Sequence, residues 1–175
     1  MEEYEDRMKA GLEPYTEDGI RDMGFGDIFL EDLREYREKR AKRVGMQPHF
    51  PLWGCSTDTL ARDFIQEGFR AIVVCVNDGY LDRSFVGREY DEALLNDLPA
   101  DVDPCGEHGE FHTFVYDAPY FTHPVPVERG ATVHRTYAPS SDGSASSADT
   151  DPDHSGEDTV EETGFWYRDL TFSED

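Results

Sequence analysis

Eight consecutive residues, Phe69 to Val76, read Phe-Arg-Ala-Ile-Val-Val-Cys-Val, and they constrain the fold more than any other segment. A run that is apolar at nearly every position has no solvent face, so it is expected to be a strand covered on both sides, of the kind found in parallel sheets. The elements before it agree. Ile20 to Ile28 reads as a short strand ending at Gly24-Phe25-Gly26-Asp27. Phe29 to Val44 carries Phe29, Leu30, Leu33, Tyr36 and Val44 at helical spacing, with Gly45 as the stop. Gln47 to Leu52 reads as another short strand, and Ser56 as the N-cap of a helix that runs to about Glu67 and ends at Gly68. Strand, helix, strand, helix, strand predicts an α/β domain with parallel strands and right-handed crossovers.

After Pro104 the pattern changes. Phe111 to Asp117, Ala131 to Tyr137 and Gly164 to Phe172 read as strands with no long helix between them, which predicts a small antiparallel β region. Arg88 to Leu98 reads as a short helix. Residues 2–10 read as a charged helical turn or two, interrupted by Pro14 and Gly19. The expected organisation is therefore an N-terminal helical segment over 1–19, a partial α/β domain over 20–103, and a C-terminal β region over 104–137 plus 163–175. Residues 138–162 are mostly Ser, Asp, Gly, Thr and Pro, with eight carboxylates and no Lys or Arg, so they are expected to be a disordered acidic insertion.

Charge excludes whole classes of partner. With 39 acidic residues against 16 basic ones the net charge is −23, and Coulomb repulsion opposes nucleic acid and anionic membranes. Lys9, Lys39 and Lys42 are the only lysines, and carboxylates are spread along the whole chain, a pattern expected of a halophilic, salt-adapted protein or of an ordinary acidic one. The acidic start Met-Glu-Glu-Tyr-Glu-Asp has no apolar targeting core, and no run of about 18 apolar residues occurs, so a soluble cytoplasmic protein is expected. Cys55, Cys75 and Cys105 are too widely spaced for a metal knuckle or redox pair.

The chemistry concentrates in Cys105-Gly106-Glu107-His108-Gly109-Glu110-Phe111-His112-Thr113, a flexible loop followed by a rigid strand. Glu107 and Glu110 read as general acid/base groups, as binders of an ammonium or a ribose hydroxyl, or as solvated loop charges. His108 and His112 have the i, i+4 spacing of two metal ligands on a helix. In an extended segment they lie about 13 Å apart, so no metal site is assigned. Asp27, after a glycine at a strand end, reads as the acceptor of a ligand hydroxyl or as a helix cap. Trp53 reads as a base-stacking residue or as core, and Arg88 as an anion binder or as the surface partner of Asp91 or Glu92.

Taken in order and spacing, Gly24-Phe25-Gly26-Asp27-Ile28, Pro51-Leu52-Trp53-Gly54, Gly68-Phe69-Arg70-Ala71-Ile72-Val73, Val86-Gly87-Arg88, the Cys105 to Val115 segment and the closing Gly164 to Leu170 resemble the diphthine-ammonia ligase family of ATP pyrophosphatases. The resemblance implies a Rossmann-like nucleotide-binding sheet of the adenine nucleotide alpha hydrolase (HUP) type, followed by a smaller domain. It implies a reaction in which ATP adenylates a carboxylate and ammonia displaces AMP, amidating diphthine on an elongation factor. Carried over by position, Gly26 and Asp27 would lie near the adenylate, with Trp53 and Gly54 close by. Gly106, Glu107, His108, Gly109, Glu110, His112 and Thr113 would line the acceptor side, and Gly87 and Arg88 would complete it. The family's Ser-Gly-Gly-x-Asp-Ser pyrophosphate loop and its first strands have no counterpart here. The sheet is therefore expected to be incomplete, and ATP/AMP with Mg²⁺ to bind only with the missing half, supplied by another polypeptide or by a homo-oligomer. The acceptor would be a small molecule or a modified residue, and a non-catalytic binding module for an adenylate-like or amino-acid ligand stands as the alternative.

Overall fold

In a computed structural model the chain forms two compact units, Met1–Leu60 and Ala61–Asp175. The structure describes residues 2–137 and 163–173, so the acidic stretch expected to be disordered, 138–162, lies outside the described residues.

The first unit contains α1 (Glu2–Glu17), β1 (Asp22–Gly24), α2 (Glu31–Arg43) and β2 (Gln47–His49). α1 continues through Pro14, so the break expected there falls instead at Gly19, whose φ of +86° suits a residue without a Cβ. β1 and β2 pair in parallel, Met23 opposite Pro48. Parallel partners need a crossover, and α2 supplies it. Arg40, Lys42 and Arg43 lie in the last turn of α2 and Glu31 and Asp32 in its first, each where the helix dipole favours that charge.

The unit boundary falls within α3 (Thr57–Gln66), whose Ser56 Oγ accepts from the Thr59 amide at 3.3 Å as an N-cap does. β3 (Arg70–Asn77), α4 (Glu92–Asp97), β4 (Phe111–Asp117), β5 (Val127–Tyr137) and β6 (Thr163–Phe172) follow. Four of these strands make one antiparallel sheet in the order β4-β3-β6-β5. The architecture is thus mixed α/β, a small parallel sheet followed by an antiparallel region, as the sequence pattern implies. One element changes sheet. β3 was expected to continue the parallel series, and it pairs antiparallel on both sides. An apolar run reports burial on both faces and is silent on the direction of its neighbours.

β3 is the spine of the second core. Ala71, Ile72, Val73, Cys75 and Val76 are buried, and Ala61, Leu81, Val86, Tyr90, Leu94, Val102 and Phe111 close around the strand. Phe64 of α3 stacks on Phe69 at 4.7 Å and meets Tyr90 edge-on at 5.6 Å. The helix expected over 88–98 begins only at Glu92, because Gly87 to Tyr90 is recruited to the sheet. Gly87 N donates to Val73 O (2.7 Å), Val73 N to Arg88 O (2.9 Å) and Tyr90 N to Ala71 O (2.8 Å). Asp91 then caps α4, its side chain accepting from Leu94 N at 2.8 Å.

Candidate functional site

The sequence-predicted residues fall into two sets. In the first unit, β1 runs into Phe25-Gly26-Asp27, with Phe25 N donating to His49 O at 2.8 Å, and the turn after β2 carries Trp53 and Gly54. Gly54, at φ +76°, donates its N–H to Ile28 O at 2.8 Å, which ties that turn to the residue after Asp27. Gly26, Asp27, Trp53 and Gly54 are therefore brought together. Asp27 is only 7% exposed, and Arg37 Nε donates to its two oxygens at 3.0 and 3.3 Å. It does not cap α2, whose N-cap is Leu30. Arg34 lies over the Trp53 ring at 4.5 Å and over Phe50 at 4.9 Å, while Phe25 stacks on Phe50 at 5.4 Å.

In the second unit, the loop before β4 is built around Glu110, whose side chain is fully buried. Its Oε1 accepts from Asp103 N and its Oε2 from His108 N, each at 2.9 Å, so one carboxylate spans the loop. Of the readings open to Glu110, the solvated loop charge is removed by its burial. Asp103 Oδ1 accepts from Cys105 N at 2.8 Å, an Asx turn, and from Glu107 N at 3.4 Å. Gly106 has φ +70°, and a Cβ there would stand 2.8 Å from Phe111 O. No other residue type fits that position without shifting backbone. Gly109 N donates to Gly106 O at 3.1 Å and completes a second turn. Glu107 is left half-buried and His108 exposed, on a backbone that cannot easily move.

The loop closes onto β3, where Asn77 N donates to Glu110 O at 2.8 Å. His112 and Thr113 begin β4 with exposed side chains, opposite Cys75 and Val73. Gly87 and Arg88 hydrogen-bond to that same Val73 from its other side, so Thr113 and Gly87 flank one residue, about 10 Å apart by strand spacing. Gly87 has φ +86°, and its missing Cβ makes room for Arg168, which donates from Nη1 to Thr132 Oγ1 at 2.8 Å. Arg88 pairs with Asp97 at 2.8 Å rather than with Asp91 or Glu92. Asp91 is occupied as a cap, and Glu92 holds Arg62 at 2.6 Å.

Burial sets the protonation of the cysteines. Burial first, then the Asp103 and Glu107 charges, push the Cys105 thiol up to about 12, so it stays a thiol and is no nucleophile at neutral pH. Cys75 is raised by burial too.

A group the sequence did not single out as chemistry lies at the same strand end. Asp78 N donates to Gly164 O at 3.0 Å, and Asp78 Oδ2 meets His134 Nε2 at 2.7 Å. His134 packs on Trp166 at 4.4 Å, with Arg83 over the Trp166 ring at 5.4 Å. Asp78 and His134 are 56 positions apart. The β3–β6 pairing, with Asn77 opposite Phe165, and the β5–β6 register, with His134 opposite Trp166, together bring them into contact. Among the described residues no cluster of three or more His, Cys, Asp or Glu is arranged to hold a metal ion, and no helix is long and apolar enough to cross a membrane.

Residues 56–138, from the cap of α3 to the end of β5, match the diphthamide synthase C-terminal domain family. A diphthine-ammonia ligase of Mus musculus is 30% identical over 121 residues, 65% of this chain and 45% of that protein. One from Homo sapiens is 29% identical over 119 residues, with the same coverage of 65% and 45%. One from Schizosaccharomyces pombe is 32% identical over 100 residues, 55% of this chain and 16% of the relative. The chain thus spans less than half the length of these relatives.

Proposed function

We propose, from the match of residues 56–138 to the diphthamide synthase C-terminal domain family, that this chain provides the acceptor side of an ATP-dependent ligase that joins ammonia to a carboxylate. In that reaction ATP and the acceptor carboxylate give an acyl adenylate and pyrophosphate. Ammonia then attacks the acyl carbon, a proton is lost, and AMP leaves with the bonding pair, so that an amide remains.

The observation that carries this reading is the loop from Asp103 to Glu110 inside the matched segment. A loop held by one fully buried carboxylate, two positive-φ glycines and an Asx turn is a preorganised scaffold for the half-buried Glu107, the exposed His108 and the exposed His112 and Thr113. Glu107 is the group assigned to orient the attacking ammonia and accept its proton. Glu110, with both oxygens taken by backbone amides, is a positioning residue. Gly109, with open space where a Cβ would stand, lets the acceptor approach the backbone, Gly106 holds the loop close against Phe111, and Gly87 and Arg88 extend that surface. Gly26, Asp27, Trp53 and Gly54 are assigned to the adenylate, with Trp53 offering a ring face and Asp27 an acceptor oxygen.

The triphosphate and its Mg²⁺ are assigned elsewhere. The sequence carries no glycine cradle with a lysine, and among the described residues no cluster of three or more carboxylates is arranged for Mg²⁺, so that role is assigned to a separate pyrophosphate-loop segment. The test is calorimetric titration of ATP-Mg²⁺ and of AMP into the chain, alone and mixed with a polypeptide carrying that loop. Tight ATP binding is expected only in the mixture, and tight binding by the chain alone would contradict the reading. The same lack of a cradle favours a second reading, a non-catalytic module for an adenylate-like or amino-acid ligand, which turnover by the mixture would exclude.

A further inference from the structure

An open cavity in the antiparallel unit is lined by none of the residues assigned above, although its Glu89 directly follows Arg88. It has a volume of about 500 Å³, within the range of about 300–1,000 Å³ that holds small ligands. Ile72, Val125 and Val127 give it apolar walls, and Pro124 and Pro126 stiffen the rim. Two backbone hydrogen bonds fix that rim, Val125 N to Tyr116 O at 2.7 Å and Ser173 N to Pro126 O at 3.0 Å. Its polar lining is Glu89, Tyr116, Glu128, Arg129 and Ser173, and three of these bond to one another. Tyr116 donates its hydroxyl to Glu89 Oε2 at 2.8 Å, and Arg129 Nη2 pairs with Glu89 Oε1. Arg70 lies over the Tyr116 ring at 5.0 Å.

From this arrangement we propose that the cavity binds a small zwitterion with an apolar body, the chemistry of a free aliphatic α-amino acid. A carboxylate and a guanidinium stand side by side, and each is about one-third exposed, so their attraction is screened and worth little. An α-amino acid exchanges that one pair for two: its ammonium takes Glu89, and its carboxylate takes the planar fork of Arg129. Tyr116 keeps the second Glu89 oxygen in place throughout. The aliphatic side chain then lies against Ile72, Val125 and Val127 and loses part of its contact with water. A ligand with one charge would leave either Glu89 or Arg129 without an opposite charge in a partly desolvated site, which is the source of selectivity. The inference does not depend on the amidation reading, because it uses none of the residues assigned there.

The test is titration of L-leucine into the full chain, followed by amide NMR shifts at Ile72, Tyr116, Val125 and Val127. Saturable shifts at millimolar leucine are expected. N-acetyl-leucine, which lacks the cation, and leucinamide, which lacks the anion, should each bind at least about tenfold more weakly. Glu89→Gln and Arg129→Gln should weaken leucine by a similar factor. The analogue series needs no substitution, so it stands even if a variant fails to fold. Absence of saturation by leucine, or equal binding of the blocked analogues, overturns the proposal.

Discussion

Glu110 contributes its side chain to two backbone amides and exposes none of it to solvent, so its effect on the protein is structural first. Glu110→Ala strands both amides and should cost about 3 kcal/mol in a urea-denaturation comparison, at about 1–3 kcal/mol per unsatisfied buried donor. Glu107→Gln removes a half-buried charge and keeps the side chain's size and hydrogen-bonding oxygen. It should leave the denaturation midpoint nearly unchanged while lowering ammonia-dependent turnover about 10²-fold or more, the usual scale of general-base loss. The cysteines separate by environment: iodoacetamide at pH 8 should modify the exposed Cys55 well before Cys105 or Cys75, as read by mass spectrometry of the peptides. The Cys105 shift also has a sign for stability. Its folded-state pKa of about 12 lies above the ordinary 9.0, so the folded chain keeps a proton that the unfolded chain releases. That contribution is complete below pH 9 and lost as pH rises toward 12, so the alkaline decline in melting temperature should be shallower in Cys105→Ala than in the parent chain.

At the scale of elements, α4 shows how little holds a short helix. It has six residues, and it is fixed by the Asp91 cap and by Leu94, which is 1% exposed in the core. Asp91→Ala should cost about 1 kcal/mol and Leu94→Ala about 2–5 kcal/mol, measured by the same denaturation. The limits of β4 were legible in the sequence to the residue, because aromatic and β-branched residues between Glu110 and Ala118 leave no other regular structure open. The direction of β3's neighbours was not, since burial on both faces is common to central strands of either kind. The fate of Gly87 to Tyr90 was hidden as well, because its pairing with Ala71 and Val73 is set by tertiary position and not by local propensity. In the site, the glycines and glutamates of the loop could be read off directly. Asp103 could have been found as an Asx-turn residue, two positions before the Cys105 amide it accepts. The Asp78–His134 contact could not, since it depends on the β3–β6 pairing and the β5–β6 register.

At the scale of the whole molecule, charge and missing chemistry dominate. A net charge of −23 on 175 residues repels itself, and salt relieves that repulsion within a Debye length of about 10 Å at 0.1 M and about 3 Å at 1 M. We propose that this composition is a salt adaptation. The melting temperature should rise by about 5–10 °C between 0.1 and 2 M NaCl, and a flat or falling profile would contradict the proposal. The functional account rests on division of labour, in which this chain holds the acceptor and another segment grips the phosphates. The measurement that reaches this most directly is AMP formation from ATP in the presence of ammonium and a diphthine-bearing elongation factor. It compares the chain alone, a pyrophosphate-loop polypeptide alone and the two together, with a full-length diphthine-ammonia ligase as positive control. Acceptor-dependent AMP release by the mixture, absent from each part and abolished by Glu107→Gln, is the predicted result. Turnover by the chain alone, or none from the folded mixture while the control is active, would contradict it.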